Sequence, residues 1–204
     1  MISRLSILIL LVTVSNASAR EPVSLFNGKD LTGWTGADYK VKAGIMICRD
    51  KVLRTKKQYS NYVFEFEFLL PSGGNNGLGI HYPGQGRPSG AGMELQILDN
   101  THPKYAKLKA SQYHGSLYKL QPAKRGMLKP AGKWNRQKVT VNGPEVVVEL
   151  NGTRILDADL NELAKKNPKH QGVKRRSGYI CFCGHNSRVQ FRNITIIELP
   201  ENKK

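Results

Sequence analysis

From Tyr62 to Leu70 the chain keeps a strict two-residue period: Tyr62, Phe64, Phe66, Phe68 and Leu70 fall on one side, Glu65 and Glu67 on the other. Successive side chains of a strand point to opposite faces, so five large apolar groups in phase demand a strand with one face in a core and one in water. A helix would scatter the same residues around its axis. Other runs repeat the pattern. Glu145 to Leu150, Gly178 to Cys183 and Val189 to Leu199 are rich in Val, Ile and Phe, which suit a pleated, half-buried surface. Turn signals separate them: Asn27-Gly28, Pro71 to Gly77, Pro83-Gly-Gln-Gly, Asn142-Gly-Pro144 and Asn151-Gly152. Only Leu160 to Lys166 reads as a short helix. Many short antiparallel strands, each with one wet face, predict an all-β, two-sheet antiparallel β-sandwich or jelly roll with at most one short helix.

Within that frame Val139 to Val141 and Val146 to Leu150 are expected to pair, and Asn151-Gly152 to turn the chain into Thr153 to Leu156, giving a three-strand meander. In the last strand Val189 and Phe191 are in phase with each other but out of phase with Ile194 and Ile196, which predicts a bulge near Arg192-Asn193.

Residues 1–19 read as an export signal. Arg4 supplies the positive end, Leu5 to Val14 is almost wholly apolar, and Ala17-Ser18-Ala19 is a small-x-small cleavage site. The apolar run is too short to span a bilayer, and no later stretch is long and apolar enough. The expected location is therefore secreted or periplasmic, with residues 20–204 forming one domain large enough to bury a core unaided. Cys48, Cys181 and Cys183 lack metal-site spacing and read as buried thiols.

The chain carries 32 basic against 15 acidic residues, a formal charge of +17, concentrated in Lys104 to Lys109, Lys119 to Lys133, Lys165 to Arg176 and Lys203-Lys204. Such a surface suits polyanions. Export and the lack of any nucleic-acid motif turn a partner inference away from nucleic acid and toward acidic glycans or an acidic cell surface, while a plain solvated basic surface is the first reading of the charge.

The stretch Met93 to Leu98 alternates Met93, Leu95 and Ile97 against Glu94 and Gln96, with Asp99 and Asn100 just beyond. Its expected partner is Gly77 to Tyr82. A symmetric closure of the intervening loop would set His81 opposite Glu94 and Gly79 opposite Gln96, an acid/base pair on a face where the strand glycine leaves room for a ligand. Asn75 and Asn76 stand at the strand entrance. Gln112 to Tyr118 offers Tyr113 and His114 as a polar-aromatic loop over one end, and His185 would end another strand at the same rim. Together these read as a sugar-binding surface. There is no G-x-S-x-G, HExxH or P-loop. Glu94 and Asp99 are the available carboxylate pair for ordinary glycoside hydrolysis, but they lie on alternate faces unless the chain turns at Leu98. No cofactor is called for, and no spacing is diagnostic of a metal, although a histidine and carboxylate cluster could take a divalent ion.

Six ordered motifs carry a resemblance: Leu25-Phe-Asn-Gly-Lys-Asp-Leu-Thr-Gly-Trp34, Asn75-Asn-Gly77, Met93-Glu-Leu-Gln-Ile-Leu-Asp99, Gly115-Ser-Leu-Tyr118, Lys129-Pro-Ala-Gly-Lys-Trp-Asn135 and Val189-Gln-Phe-Arg-Asn-Ile194. Across nearly the whole chain after residue 19, the sequence resembles the 3-keto-disaccharide hydrolase domain family. The resemblance implies a concanavalin A-like β-sandwich in an exported bacterial protein, acting on glycosides already oxidised at C3 of the sugar. Its implied chemistry is removal of the C2 proton, β-elimination of the C1 substituent and hydration. On this reading Glu94, His114 and His185 are the proton-handling candidates, and Asn75, His81, Gln96, Asp99, Tyr113 and Arg192 bind the sugar. The alternative on the same fold is a non-catalytic carbohydrate-binding module. The chain departs from the family pattern at Asn76, at His81 where an arginine is common nearby, and around Phe182-Cys-Gly-His-Asn186.

Overall fold

The computed structural model describes residues 20–201; residues 1–19, read above as an export signal, and the Lys203-Lys204 end lie outside the described residues. Two antiparallel sheets form a β-sandwich. The larger holds β1 (Val23–Ser24), β3 (Lys40–Lys42), β4 (Ile45–Ile47), β6 (Tyr62–Leu69), β9 (Trp134–Asn142), β10 (Glu145–Leu150), β11 (Thr153–Asp159) and β13 (Gln190–Glu198). Its order is β11-β10-β9-β6-β13-β4-β3, with β1 also paired to β13. The smaller holds β2 (Trp34–Gly36), β5 (Leu53–Thr55), β7 (Asn75–Tyr82), β8 (Met93–Leu98) and β12 (Tyr179–Phe182), in the order β2-β5-β12-β7-β8.

The aromatic alternation of β6 does what its period requires. Tyr62, Phe64, Phe66 and Phe68 are wholly buried, while the residues between them are partly exposed. Each such ring stabilises the fold by roughly 2–3 kcal/mol relative to leaving it in water. Phe66 meets Phe182 of the smaller sheet edge-on at 5.8 Å, and Phe182 stacks on Trp34 at 5.5 Å and on Phe191 at 3.9 Å. This aromatic layer clamps the two sheets together.

The meander forms as β9, β10 and β11. Asn151 and Gly152 both take positive φ, 50° and 86°, as a two-residue hairpin turn needs. The pairing of β13 with β6 shifts between Arg192 and Thr195, and Asn193 sits at φ 51°, so the bulge lies where the phase change put it. The helix is α2 (Leu160–Lys166), capped by Asp159, whose carboxylate accepts from the Asn161 and Glu162 amides. A four-residue helical turn, α1 (Pro88–Ala91), adds a second short helical element in the loop between β7 and β8. The three cysteines are free and buried. Among the described residues, no helix is long and apolar enough to cross a membrane.

The short strands β1 to β5 carry too few residues for their alternation to register in the sequence. The turn between β3 and β4 rests on Ala43 at φ 49° beside Gly44, and a left-handed alanine leaves no compositional mark.

Candidate active site

The strand β8 keeps the predicted division of faces. Met93, Leu95 and Ile97 enter the core, and Glu94 and Gln96 turn to the outer face of the smaller sheet. The segment after residue 114 pairs along the free edge of β8: Gln96 N–H donates to Ser116 O, Gly115 N–H to Gln96 O, and Tyr118 N–H to Glu94 O. Tyr118 and Lys119 are thereby pinned beside Glu94. On the far side β7 and β12 contribute Asn75, Cys183 and His185, and α1 overhangs one end with Arg87, Pro88 and Ser89. These elements enclose a cleft of about 560 Å³, half open to water.

Glu94 is the acidic group on the cleft floor, its side chain 8% exposed, and the His185 Nε2 lies 3.7 Å from its Oε1. His185 is more open, at 45%. Its loop is held in an uncommon conformation, because Gly184, His185 and Asn186 take φ values of 80°, 119° and 55° in succession. A side chain at Gly184 would put its Cβ 2.6 Å from the Lys51 carbonyl oxygen, so the glycine lets the loop approach the Lys51 backbone. Non-glycine residues in such conformations cost on the order of 1–3 kcal/mol each. Beneath the pair, burial, Cys181 and the Glu94 charge push the Cys183 thiol well above its usual range, so Cys183 is a neutral wall of the cleft.

Gly79 has a different use from the expected one, and Gly77 shares it. A Cβ on Gly77 would fall 2.0 Å from Glu94 Oε1, and one on Gly79 would fall 2.4 Å from Cys181 Sγ. The strand glycines thus make room for the protein's own Glu94 carboxylate and Cys181 thiol, not for a ligand lying on the sheet. Gly77→Ala should force the Glu94 carboxylate from its seat. Displacements of about 1 Å at a reacting group cost on the order of a hundredfold, so turnover is expected to drop by roughly that factor. Kinetics beside a circular dichroism spectrum check this, and wild-type kcat in the folded variant would show that Glu94 has no fixed seat.

The expected partnering of His81 with Glu94 is corrected. The register places Gly79 opposite Glu94 and Gly77 opposite Gln96, two residues from symmetric closure. His81 itself lies past that ladder, at a bulge against the other neighbour: between Tyr179/Tyr82 and Cys181/Gly79, β7 spends one more residue than β12, and His81 sits there at φ 50°. The extra residue takes His81 out of the outer face and buries it completely. Burial, with the nearby Arg176 charge adding to it, pushes its pKa down to about 4.

His114 does not reach the cleft either. It is buried between the sheets, stacked on Phe68 at 5.1 Å, and its Nδ1 accepts from the Leu98 amide at 3.4 Å. Burial pushes its pKa down to about 3, which suits a neutral core residue. Tyr113 donates its hydroxyl to Tyr105 O and lies under the Arg125 guanidinium, 3.8 Å from the ring centre, away from the cleft lining. Asp99 ties the 71–74 turn, accepting from Gly73 N–H and from Thr101. Burial acts to raise its pKa, but those hydrogen bonds outweigh it and hold the carboxyl below its usual value. Arg192 lies on the larger sheet, bound to Glu67 at 2.7 Å over the Trp134 ring. The structure therefore brings together Asn75, Glu94, Gln96 and His185 of the expected set. It adds Arg87, Ser89, Tyr118, Lys119 and Cys183. Among the described residues, no group of three or more His, Cys, Asp or Glu side chains could hold a metal ion.

A two-sheet sandwich with Glu94 and His185 in a polar cleft on the face of its smaller sheet has the fold of lectin-like domains. A protein of unknown function with a galectin-like fold from Bacillus subtilis matches with a TM-score of 0.57 at 13% identity over 90% of this chain and 98% of that one, a likeness of fold alone. Residues 21–197 match the 3-keto-alpha-glucoside-1,2-lyase-like domain, and the chain belongs to that family. It is 26% identical to a 3-keto-disaccharide hydrolase of Bacteroides thetaiotaomicron, over 85% of this chain and 77% of the relative. A candidate glycosyl hydrolase from Parabacteroides distasonis has a TM-score of 0.79 at 23% identity, over 88% of this chain and the whole of that one. At family level the chain is a glycoside-hydrolase-like enzyme.

Proposed function

We propose that the protein is an exported enzyme that cleaves 3-keto-glycosides by elimination and hydration, with Glu94 as the base. The observation that carries this reading is the Glu94–His185 pair at the floor and rim of one cleft. A ketone at C3 acidifies the proton on C2. Glu94, fixed against Gly77, takes that proton, and the electron pair moves onto the C3 oxygen as an enolate. Collapse of the enolate forms the C1–C2 double bond and expels the C1 oxygen substituent, which takes a proton from His185. Water then adds at C1 and a proton returns to C2, completing a net hydrolysis. Gln96 and Asn75 line the cleft as hydrogen-bonding groups for the sugar and its enolate oxygen. Tyr118 offers a ring face to the pyranose.

Export is supported by the charged, apolar and small-residue succession of residues 1–19. The chemistry is tested by incubating the protein with a 3-keto-disaccharide and with its unoxidised parent. Release of monosaccharide from the keto form alone is expected. Binding of either sugar without turnover would make the chain a carbohydrate-binding module instead.

A further inference from the structure

We propose that the cleft selects glycosides bearing a negative charge, a uronate or a sulfated sugar, with Arg87 and Lys119 as the residues that set this specificity. The inference rests on the cleft being the substrate site, as read above, and names the class of sugar it takes.

With 32 basic residues against 15 acidic ones, only some cations find a carboxylate. Arg136 pairs with Glu65, Lys138 with Glu149, Arg192 with Glu67 and Lys57 with Glu198. Arg87 and Lys119, both exposed in the cleft lining, have no carboxylate partner among the described residues. The one carboxylate in that lining, Glu94, faces His185. Two unmatched cations beside a partly enclosed sugar site draw anions toward it.

Both cations stand on braced backbone. Arg87 immediately precedes Pro88, which is buried at the start of α1 and lies 3.2 Å from where a Gly79 Cβ would sit. α1 is tied from behind by the basic 165–176 segment: Arg175 Nε donates to Ala91 O, and a His170 ring nitrogen lies 3.0 Å from Ser89 O. The positive segment that stood out in the sequence thus backs the wall that carries Arg87. Lys119 holds a left-handed backbone at φ 62°, its N–H donates to Ser111 O at 2.9 Å, and its Nζ lies 5.3 Å from the centre of the Tyr118 ring. An aromatic ring with an ammonium over one face suits a pyranose with an anionic substituent.

The test uses unoxidised sugars, which bind without reacting, so failure of the keto chemistry would leave it intact. Calorimetric titrations compare a glucuronate-terminated disaccharide, a sulfated one and the neutral glucosyl counterpart, with the wild-type chain and with an Arg87→Ala/Lys119→Ala double variant. We expect at least one charged sugar to bind the wild type about tenfold more tightly than the neutral one at low salt, by charge-assisted hydrogen bonds. The ratio should fall to about one in the double variant and shrink as salt screens the cations. The arm that shows the preference identifies the charged group. Equal binding of charged and neutral sugars by the wild type, no binding of the charged ones, or a preference that survives in the double variant would overturn the proposal.

Discussion

Glu94→Gln is expected to lower turnover of a 3-keto-disaccharide by about a hundredfold to ten-thousandfold, the range that a positioned general base supplies. The substitution is nearly isosteric, so glutamine can occupy the space that Gly77 leaves and the fold has no reason to change. What is lost is the lone pair that accepts the C2 proton. The neighbouring His185, 3.7 Å away and more exposed, cannot take over both proton roles from its fixed loop. The measurement is kcat on the keto substrate alongside the thermal midpoint. An unchanged midpoint with collapsed turnover is expected, and an unchanged rate would remove Glu94 from the mechanism.

The second large effect is on stability under mild acid. His81 and His114 are buried neutral, with folded pKa values of about 4 and about 3 against an ordinary 6.5. Below the unfolded value the unfolded chain binds protons that the folded chain refuses, so stability is fully present above 6.5 and falls as pH drops toward the folded values. Between pH 6.5 and about 5 each histidine should remove roughly 2 kcal/mol, a figure that requires only that both folded values lie well below that window. A loss of about 4 kcal/mol is a large part of the 5–15 kcal/mol typical of a domain. Urea midpoints at pH 7 and pH 5 check it. His114→Leu should flatten the dependence by about half, and an equally steep profile in that variant would show that other groups cause it.

Legibility in the sequence followed physical range. The aromatic period of β6, the Asn151-Gly152 turn, the β13 bulge and the Asp159-capped α2 rest on local chemistry, and each stands where its residues put it. The faces of β8 were equally legible, because a period of two survives any shift of register by an even number. The register itself was not. Asymmetric closure of the 81–92 loop set β7 against β8 two positions from the symmetric register, and the bulge at His81 exchanged a presumed catalytic partner for a buried core residue. His114 failed for a similar reason: a polar-aromatic loop reads the same in sequence whether its histidine faces water or Phe68. Arg87 and Lys119 lie in loops without period, and only the closure of those loops around β8 shows that they share a cleft. The glycines were noticed for the right reason, a missing side chain, but what fills the space was the protein itself.

Turnover in heavy water tests the central claim most directly. If Glu94 opens the reaction by removing the C2 proton and hydration returns one from solvent, the 3-keto sugar released must carry deuterium at C2 from the first turnovers, above the slow exchange of enzyme-free controls. Release of product with its original hydrogen at C2 would contradict the elimination pathway and return the cleft to direct displacement at C1.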